Sequence, residues 1–308
     1  MKVLTATQSR QLDAYTIKAE GIESIDLMER AAQALTAEIR RLWSGLLNFY
    51  VFAGSGNNGG DALAVARLLA AEGHRVEVFL FNVNGKLSKD CETNRDLAFR
   101  LNEDGSRNVA LAAKACGARL FAISTDYVFS GEPPREPWAW SETDIPRPRT
   151  VYGASKFAGE QMIQMLLPEA VIIRIAWLYG AGGPSFVHTM AKLGAQEGAP
   201  LKVVNDQRGN PTSTKTVADV IKFLMMKSDV SGIVHGTCED QCTWYDLTVE
   251  LFRLLGLKRE VVPCTTEEFS RPAPRPHNSA LKKSVLNLLG YRTPKWQDAL
   301  AEFVKKEF

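Results

Sequence analysis

The stretch NFYVFAGSGNNGGDALAVARLLAAEGHRVEVFLF, residues 48–81, runs from an apolar segment through a glycine-rich loop into a helical pattern and a second apolar segment. This order predicts a strand, a loop, a helix and a strand, a unit that pairs its strands in parallel through a right-handed crossover. Three glycines, Gly54, Gly56 and Gly59, fit the pattern G-x-G-x-x-G. In that pattern the loop lets a dinucleotide pyrophosphate approach the N-terminus of the helix.

The rest of the chain continues the alternation of apolar segments and amphipathic helical patterns. The predicted strands are 49–53, 75–81, 118–124, 170–180, 201–204 and 232–236. The predicted helices are 7–20, 24–43, 61–72, a helix that ends near 116, 154–167, 184–197, 214–227 and 243–256. Strands that alternate with helices indicate an α/β fold with a mostly parallel sheet.

Composition sets broad limits on function. The 308 residues are 45% apolar and 23% charged, which fits one large α/β domain or two modest ones. The net charge of +2, without a basic tract, argues against nucleic acid and against a membrane surface as partners. The number of cysteines, five, is odd, which argues against a disulfide framework. Cys238 and Cys242 are not accompanied by a second Cys/His pair, which argues against a zinc site. With no apolar signal segment near the start, the chain is expected to be cytoplasmic.

Two further segments carry residues suited to carbonyl reduction. In VYGASK (151–156), Tyr152 and Lys156 are four residues apart at the start of a helix, so both side chains lie on one face. A nearby ammonium is expected to lower the pKa of the phenol, which then gives a proton to a carbonyl oxygen as a hydride arrives from a nicotinamide. Thr125, at the end of the strand ARLFAIS, can hydrogen-bond the same oxygen. An ordinary surface pair of Tyr and Lys is the alternative. A strand that ends in Ser-Thr about 27 residues before Tyr-x-x-x-Lys makes the whole pattern much more specific than the pair alone.

From about residue 96 to the C-terminus, the chain resembles the dTDP-4-dehydrorhamnose reductases. The matching segments are NEDGSRNVALAAKACGARLFAISTDYVFSG (102–131), ETDIPRPRTVYGASKFAGE (142–160), RIAWLYG (174–180), SFVHTMAKL (185–193), VVNDQRGNPTST (203–214), CTWYDLT (242–248) and RPAPRPHNSAL (271–281). These extended short-chain dehydrogenases reduce a 4-keto sugar nucleotide with NADPH. The resemblance implies a Rossmann-like fold with a small C-terminal sugar-nucleotide lobe, built largely from 180–215 and 235–308.

The same resemblance assigns roles to individual residues. Thr125, Tyr152 and Lys156 match the catalytic set, and the lysine also matches the residue that holds the nicotinamide ribose. Positions near the substrate are matched by Tyr127, Trp177, Asn210 and Arg275. For Trp177, packing of a buried aromatic residue is an open alternative. For Asn210 the alternative is a simple Asn-Pro turn, and for Arg275 it is a solvated loop position.

Residues 1–95 instead resemble the N-terminal part of NAD(P)H-hydrate epimerases. The matching segments are SRQLDAYTIKAEGIESIDLMERAA (9–32), VFAGSGNNGGDALAVARLLAAEGHRVEVFLF (51–81) and NGKLSKDCETNRD (84–96). In that family the loop contacts a hydrated nicotinamide nucleotide, and the position of Asn58 helps to coordinate potassium. The epimerases' later Asp-Ala-x-Phe-Gly segment and the reductases' early T/S-G-x-x-G-x-x-G loop both lack a counterpart here. The sequence therefore predicts two partial enzymes joined near 91–101.

Three hypotheses remain open at the level of sequence. In the first, the chain is a reductase that uses NADPH or NADH, with Gly54, Gly56, Asn57, Gly59 and Lys156 on the cofactor. In the second, it binds a nucleotide in the manner of the hydrate epimerases. In the third, it is a chimeric chain without activity. The reductase resemblance further implies a nucleotide-sugar partner, and it allows a homodimer with magnesium at a subunit interface.

Overall fold

The computed structural model describes residues 6–54, 57–81, 91–132, 139–268 and 275–308. The chain forms two compact units, Met1–Val83 with Val109–Leu120, and Asn84–Asn108 with Phe121–Phe308. Within the described ranges, no helix combines the length and the apolar character needed to cross a membrane.

The first unit contains the predicted strand–helix–strand arrangement. Its elements are α1 (Ala6–Glu20), α2 (Ser24–Leu42), β1 (Asn48–Gly54), α3 (Asn57–Ala71) and β2 (Arg75–Phe81). Strands β1 and β2 pair in parallel, with Asn48 opposite Arg75 and Gly54 opposite Phe81. A small core joins α2, α3 and β2 through Ala32, Leu69 and Val78. The helix begins four residues earlier than its apolar pattern suggested, so Asn-Asn-Gly-Gly forms its first turn.

The second unit is built on three parallel strands. They are β3 (Leu120–Thr125), β4 (Val171–Ile175) and β9 (Gly232–His235), with Thr125 opposite Ile175 and Arg174 opposite His235. Before β3 come α4 (Arg95–Phe99), a π-helical turn (Arg100–Asp104) and α5 (Gly105–Cys116). After β3 come a 3₁₀ turn (Asp126–Val128) and α6 (Val151–Leu166). The alternation confirms the predicted α/β class with parallel pairing.

The C-terminal part of this unit adds short strands and helices around a second core. Its elements are β5 (Leu178–Tyr179), α7 (Phe186–Gly194), β6 (Leu201–Val204), β7 (Arg208–Gly209), β8 (Thr212–Ser213), α8 (Thr214–Met225), β10 (Cys242–Thr243), α9 (Trp244–Leu255), β11 (Val261–Cys264), α10 (Ser284–Leu288) and α11 (Trp296–Glu307). The core includes Leu251 of α9 and Leu300 of α11, both fully buried. Cys91, Cys238, Cys242 and Cys264 are buried and free.

The single strand predicted over 170–180 is wrong in one respect. It is interrupted after Ile175, and the backbone at Trp177 takes a left-handed conformation with φ of 46°. The chain then resumes as β5, which pairs with β8, while the Trp177 carbonyl accepts the Thr212 N–H at 3.2 Å. An apolar run cannot reveal this break, because the indole of Trp177 is held by a stack formed with a residue 67 positions later, Trp244.

Candidate active site

Local interactions fix the start of helix α6, where the predicted Tyr and Lys lie. The N-cap Thr150 accepts the Gly153 N–H at 2.9 Å, and Glu92 Oε1 accepts the Val151 N–H at 2.8 Å. A Cβ atom at Gly153 would lie 2.2 Å from the Tyr127 carbonyl oxygen. The glycine therefore lets this helix approach the 3₁₀ turn closely enough to bring residue 152 beside the end of β3.

Lys156 lies one helical turn after the tyrosine and reaches back to β3. Its Nζ donates a hydrogen bond to the Ile123 carbonyl at 2.8 Å. Burial lowers the pKa of Lys156 to about 8, and the charge of Glu160 opposes this shift. The ammonium form therefore predominates at neutral pH, and two of its three N–H donors remain after the bond to the strand.

Tyr152 is half-buried, and its ring meets that of Tyr127 edge to face with 5.7 Å between centroids. Burial raises the pKa of Tyr152 well above its ordinary value, the Thr125 hydroxyl opposes this, and the charge of Asp126 adds to it. The predicted lowering of this pKa by Lys156 is therefore wrong for the protein without ligands. Desolvation of the phenol outweighs the ammonium, whose hydrogen bond goes to a backbone carbonyl. The phenol keeps its proton at neutral pH.

Thr125 closes β3 and is itself held on two sides. Its hydroxyl donates to Asp126 Oδ1 at 3.1 Å and accepts the Tyr127 N–H at 3.2 Å. Asp126 is only 2% exposed, and its Oδ2 has no hydrogen-bond partner within the described ranges. Burial raises the pKa of Asp126 to about 6, against the opposing effect of the Ser279 and Thr125 hydroxyls. Sequence reasoning missed this carboxylate, although it directly follows the predicted Thr125.

A second set of contacts, also missed from sequence, supports α6 from the π-helical turn. Asn102 Nδ2 donates to Ser155 Oγ at 2.9 Å, and the same oxygen donates to the Tyr152 carbonyl at 2.9 Å. A Cβ at Gly159 would lie 2.3 Å from the Asn102 carbonyl oxygen, so the two helices touch there. Farther along α6, the buried Glu160 forms a bidentate ion pair with Arg174 of β4. These contacts fix the helix that presents the tyrosine and lysine.

The four predicted substrate residues occupy different settings. Tyr127 lies beside Tyr152, as described above, and Arg275 is half-buried without a hydrogen bond or ion pair to the described residues. The Trp177 ring stacks on Trp244 with 3.5 Å between centroids. Asn210 is buried, and both ends of its amide are occupied, by the Asp240 carbonyl at 2.6 Å and the Leu281 N–H at 2.7 Å. Its amide thus joins two loops, and one N–H donor and one lone pair of the amide remain beyond these two bonds.

The predicted cofactor loop lies at the junction of β1 and α3. Gly54 ends the strand, Asn57 begins the helix, and Gly59 lies in its first turn. Gly56 and the side chain of Asn58 lie outside the described part of the chain. The described backbone therefore provides the strand and the helix N-terminus that the glycine pattern predicts.

Comparison with known proteins identifies the family. The model of the RmlD substrate binding domain matches residues 47–308. The chain belongs to this RmlD family. The matched range begins upstream of residue 96 and takes in β1, the glycine loop, α3 and β2.

Other members of the RmlD family are similar over most of the chain. The dTDP-4-dehydrorhamnose reductase of Streptomyces griseus is 40% identical over 246 residues, covering 78% of this chain and 79% of the relative. The spore coat polysaccharide biosynthesis protein SpsK of Bacillus subtilis is 37% identical over 216 residues, covering 70% and 74%. A crystal structure of the Bacillus anthracis dTDP-4-dehydrorhamnose reductase in complex with NADP superposes with a TM-score of 0.73 at 35% identity, covering 79% of this chain and 85% of that one. This likeness confirms the predicted Rossmann-like fold.

Proposed function

We propose that this chain reduces a 4-keto-6-deoxy sugar nucleotide with NADPH, converting dTDP-4-dehydrorhamnose to dTDP-rhamnose for cell-surface polysaccharide synthesis. One observation carries the proposal: in a chain of the RmlD family, Thr125, Tyr152 and Lys156 gather at the carboxyl end of a parallel strand. That end of a parallel sheet is where nucleotide ligands bind in such folds. The names of two relatives, a dTDP-4-dehydrorhamnose reductase and a polysaccharide biosynthesis protein, support the substrate and the pathway class.

The side chains present fit a nicotinamide cofactor. Lys156 keeps two N–H donors for the hydroxyls of the nicotinamide ribose after its bond to Ile123. Gly54, Gly56, Asn57 and Gly59 would hold the pyrophosphate at the start of α3. Strand β2 ends at Phe81, and the sequence at this point, Phe81-Asn82, lacks the acidic residue that binds the ribose of NADH, which favours NADPH. When bound, the cofactor supplies a hydride.

The proton moves from Tyr152. Its phenol, which holds its proton at neutral pH, donates to the substrate carbonyl oxygen as negative charge develops there. The Lys156 ammonium lowers the cost of the resulting phenolate, and the Thr125 hydroxyl donates a second hydrogen bond to the same oxygen. Under this proposal Tyr127 and Trp177 face the sugar, and the Arg275 guanidinium attracts the diphosphate.

The test is reduction of dTDP-4-dehydrorhamnose with NADPH, followed by loss of absorbance at the nicotinamide band. We expect turnover by the natural chain and a loss of at least about 10³-fold in Tyr152→Phe, because the phenyl ring keeps the packing and lacks the proton. Tyr291→Phe is the matched control, since the Tyr291 ring stacks on Phe223 away from this set of residues. Turnover by Tyr152→Phe at the natural rate would remove the assigned acid.

A second candidate function rests on the segment Asn-Asn-Gly-Gly-Asp, 57–61, which favours the hydrate-epimerase resemblance. Under this proposal residues 1–95 form an epimerase-like fragment joined to a reductase-like region, 96–308, and Asn58 contributes to a potassium site. Asp61 lies at the start of α3, where burial, and then the charge of Asp13, raise its pKa. Binding of hydrated NADPH in preference to NADPH, dependent on potassium, would favour this candidate. Binding of neither ligand would favour the inactive chimera.

Metal and assembly are separate parts of the proposal. Across the described ranges, no group of three or more His, Cys, Asp or Glu side chains could hold a metal ion. The homodimer implied by the reductase resemblance is tested by sedimentation of the purified chain, with and without magnesium. A mass of one chain, 34.0 kDa, under both conditions would exclude it.

A further inference from the structure

A buried carboxylate next to the catalytic threonine has an unusual set of hydrogen bonds. Asp126 Oδ1 accepts the Thr125 hydroxyl at 3.1 Å, while Oδ2 is buried and accepts no hydrogen bond of ordinary geometry in the described part of the chain, although the Ser279 hydroxyl lies near enough to lower the pKa of Asp126. An ionised carboxylate with a bare buried oxygen is costly, whereas a carboxylic acid needs fewer partners. The surroundings of Asp126 therefore favour the neutral acid more than an ordinary surface site does.

The protonation state of Asp126 decides where the proton of Thr125 points. If Asp126 is ionised, the Thr125 proton is taken up by Oδ1, and the hydroxyl has no donor left for a substrate. If Asp126 is neutral, Oδ1 can donate across the same 3.1 Å contact. Thr125 Oγ1 then accepts from Asp126 and from the Tyr127 N–H, so both lone pairs are filled. Its own proton must turn away from both groups.

The Tyr152 phenol is another group near the Thr125 hydroxyl. The Thr125 hydroxyl is close enough to the phenol to lower its pKa, while a negative charge on Asp126 raises it. An ionised Asp126 thus works against both steps of proton donation. It removes the Thr125 donor from the carbonyl oxygen, and it disfavours the phenolate that Tyr152 must become.

We propose that Asp126 is a positioning residue that acts as a neutral carboxylic acid and directs the Thr125 hydroxyl proton toward Tyr152 and the substrate carbonyl. The active form of the protein is then the one in which Asp126 holds its proton, and Asp126 acts on the reaction through Thr125. The inference rests on the proposed reductase function and extends it to a residue that none of the sequence patterns singled out.

The groups around this pair define what else could titrate. Asp126 faces the hydroxyls of Thr125 and Ser279 from its own turn and from the segment that follows Asn278. The phenols of Tyr127 and Tyr152 lie on the 3₁₀ turn and on α6, and burial places the ordinary titration of Tyr152 even higher. Further groups near the phenol or on its helix are the Cys91 thiol and the Lys156 ammonium, whose pKa is about 8. Of these groups, Asp126 is the one whose pKa is raised to about 6.

The kinetic test measures kcat/KM for dTDP-4-dehydrorhamnose at saturating NADPH between pH 5.5 and pH 7.5. In the natural chain we expect a fall of at least about tenfold over this range, as the acid form is lost. Asp126→Asn offers an amide N–H to Thr125 at every pH, so this fall should shrink to less than about twofold. Asp219→Asn is the matched control, because Asp219 is exposed and paired with Lys215, and it should keep the natural profile.

Two kinetic results would overturn the proposal. One is an Asp126→Asn profile that keeps the natural fall, since the titrating group would then be another residue. The other is an Asp126→Asn variant that folds but loses activity at all pH values, as we expect of Thr125→Val, since the carboxylate itself would then be required.

A measurement without turnover separates this proposal from the reductase function. In the full chain with NADPH, the ¹³C signal of the Asp126 carboxyl should titrate at the same pH as kcat/KM. A carboxyl that titrates near the ordinary value for aspartate would overturn the inference even if Asp126→Asn fails to fold. Absence of keto-sugar reduction at every pH, together with a raised carboxyl pKa, would instead refute the proposed reaction and leave the acid form of Asp126 standing.

Discussion

At the scale of single residues, the charge of Lys156 is expected to limit activity at high pH. Its pKa is lowered to about 8, so the ammonium that supports the phenolate is present below this pH and is lost above it. In the Asp126→Asn background, kcat should therefore fall about tenfold per pH unit above 8. Lys156→Met should be slow at all pH values. A kcat that stays level to pH 10 in that background would show that the ammonium is not needed.

The strained Trp177 yields a second residue-scale prediction. A Cβ at Gly209 would lie 2.4 Å from the Trp177 ring, which cannot retreat because it stacks on Trp244. Gly209→Ala should therefore lower the free energy of unfolding by about 1–3 kcal/mol. Gly183→Ala is the control, because a Cβ there meets no atom within 4 Å and should be nearly neutral. Equal denaturation midpoints for the two variants would contradict this account of the stack.

What the sequence could predict at this scale depended on spacing. The placement of Tyr152 and Lys156 on one helix face follows from their separation of four residues, and the end of a strand placed Thr125 beside them. The pKa of Tyr152 was predicted in the wrong direction because spacing carries no information about burial. The hydrogen bonds by which Asn210 joins two loops could not be predicted, since one of the partners, Leu281, is 71 residues away.

At the scale of elements, replacement by alanine should change the stability of the protein in opposite directions at two helical glycines. Alanine is favoured over glycine in a helix by up to about 1 kcal/mol. At Gly105 the nearest atom to a new Cβ is 3.9 Å away, so Gly105→Ala should stabilise the protein by about 0.5–1 kcal/mol. At Gly159 the new Cβ would meet the Asn102 carbonyl at 2.3 Å. Gly159→Ala should cost about 1–3 kcal/mol and displace the helix that carries Lys156.

Urea denaturation of both variants, with NADPH-dependent activity measured in parallel, tests this pair. A stabilised Gly159→Ala would mean that α6 does not touch the π-helical turn as described.

The sequence predicted the type of each helix and strand that has a clear hydrophobic period, and the predicted bounds of β2 and β6 agree with the structure to the residue. Helix α6 begins three residues before its predicted start, because Thr150 and Glu92 accept backbone N–H groups of its first turn. Glu92 lies 59 residues before Val151, whose N–H it accepts.

At the scale of the whole molecule, the family match extends into both of the regions, 1–95 and 96–308, that the sequence patterns assigned to different families. The match from residue 47 spans the glycine loop of the first unit and the Thr125, Tyr152 and Lys156 set of the second. A local motif such as Asn-Asn-Gly-Gly-Asp indicates a family of loops, whereas the match over 47–308 weighs the entire order of elements. The reductase proposal requires that the full chain bind NADPH, which calls for a direct test.

That test is a thermal titration of the full chain with NADPH. A ligand at about 100 times its Kd stabilises the folded state by about 2.7 kcal/mol, which should raise Tm by about 5 °C. Under the reductase proposal Gly56→Val places a side chain where the loop must approach the pyrophosphate, so it should abolish the shift in Tm. Gly183→Val, at a position open to solvent, should keep the full shift. An undiminished shift in Gly56→Val would show that the loop is not the pyrophosphate site, and the glycine loop would then belong to the hydrate-epimerase alternative.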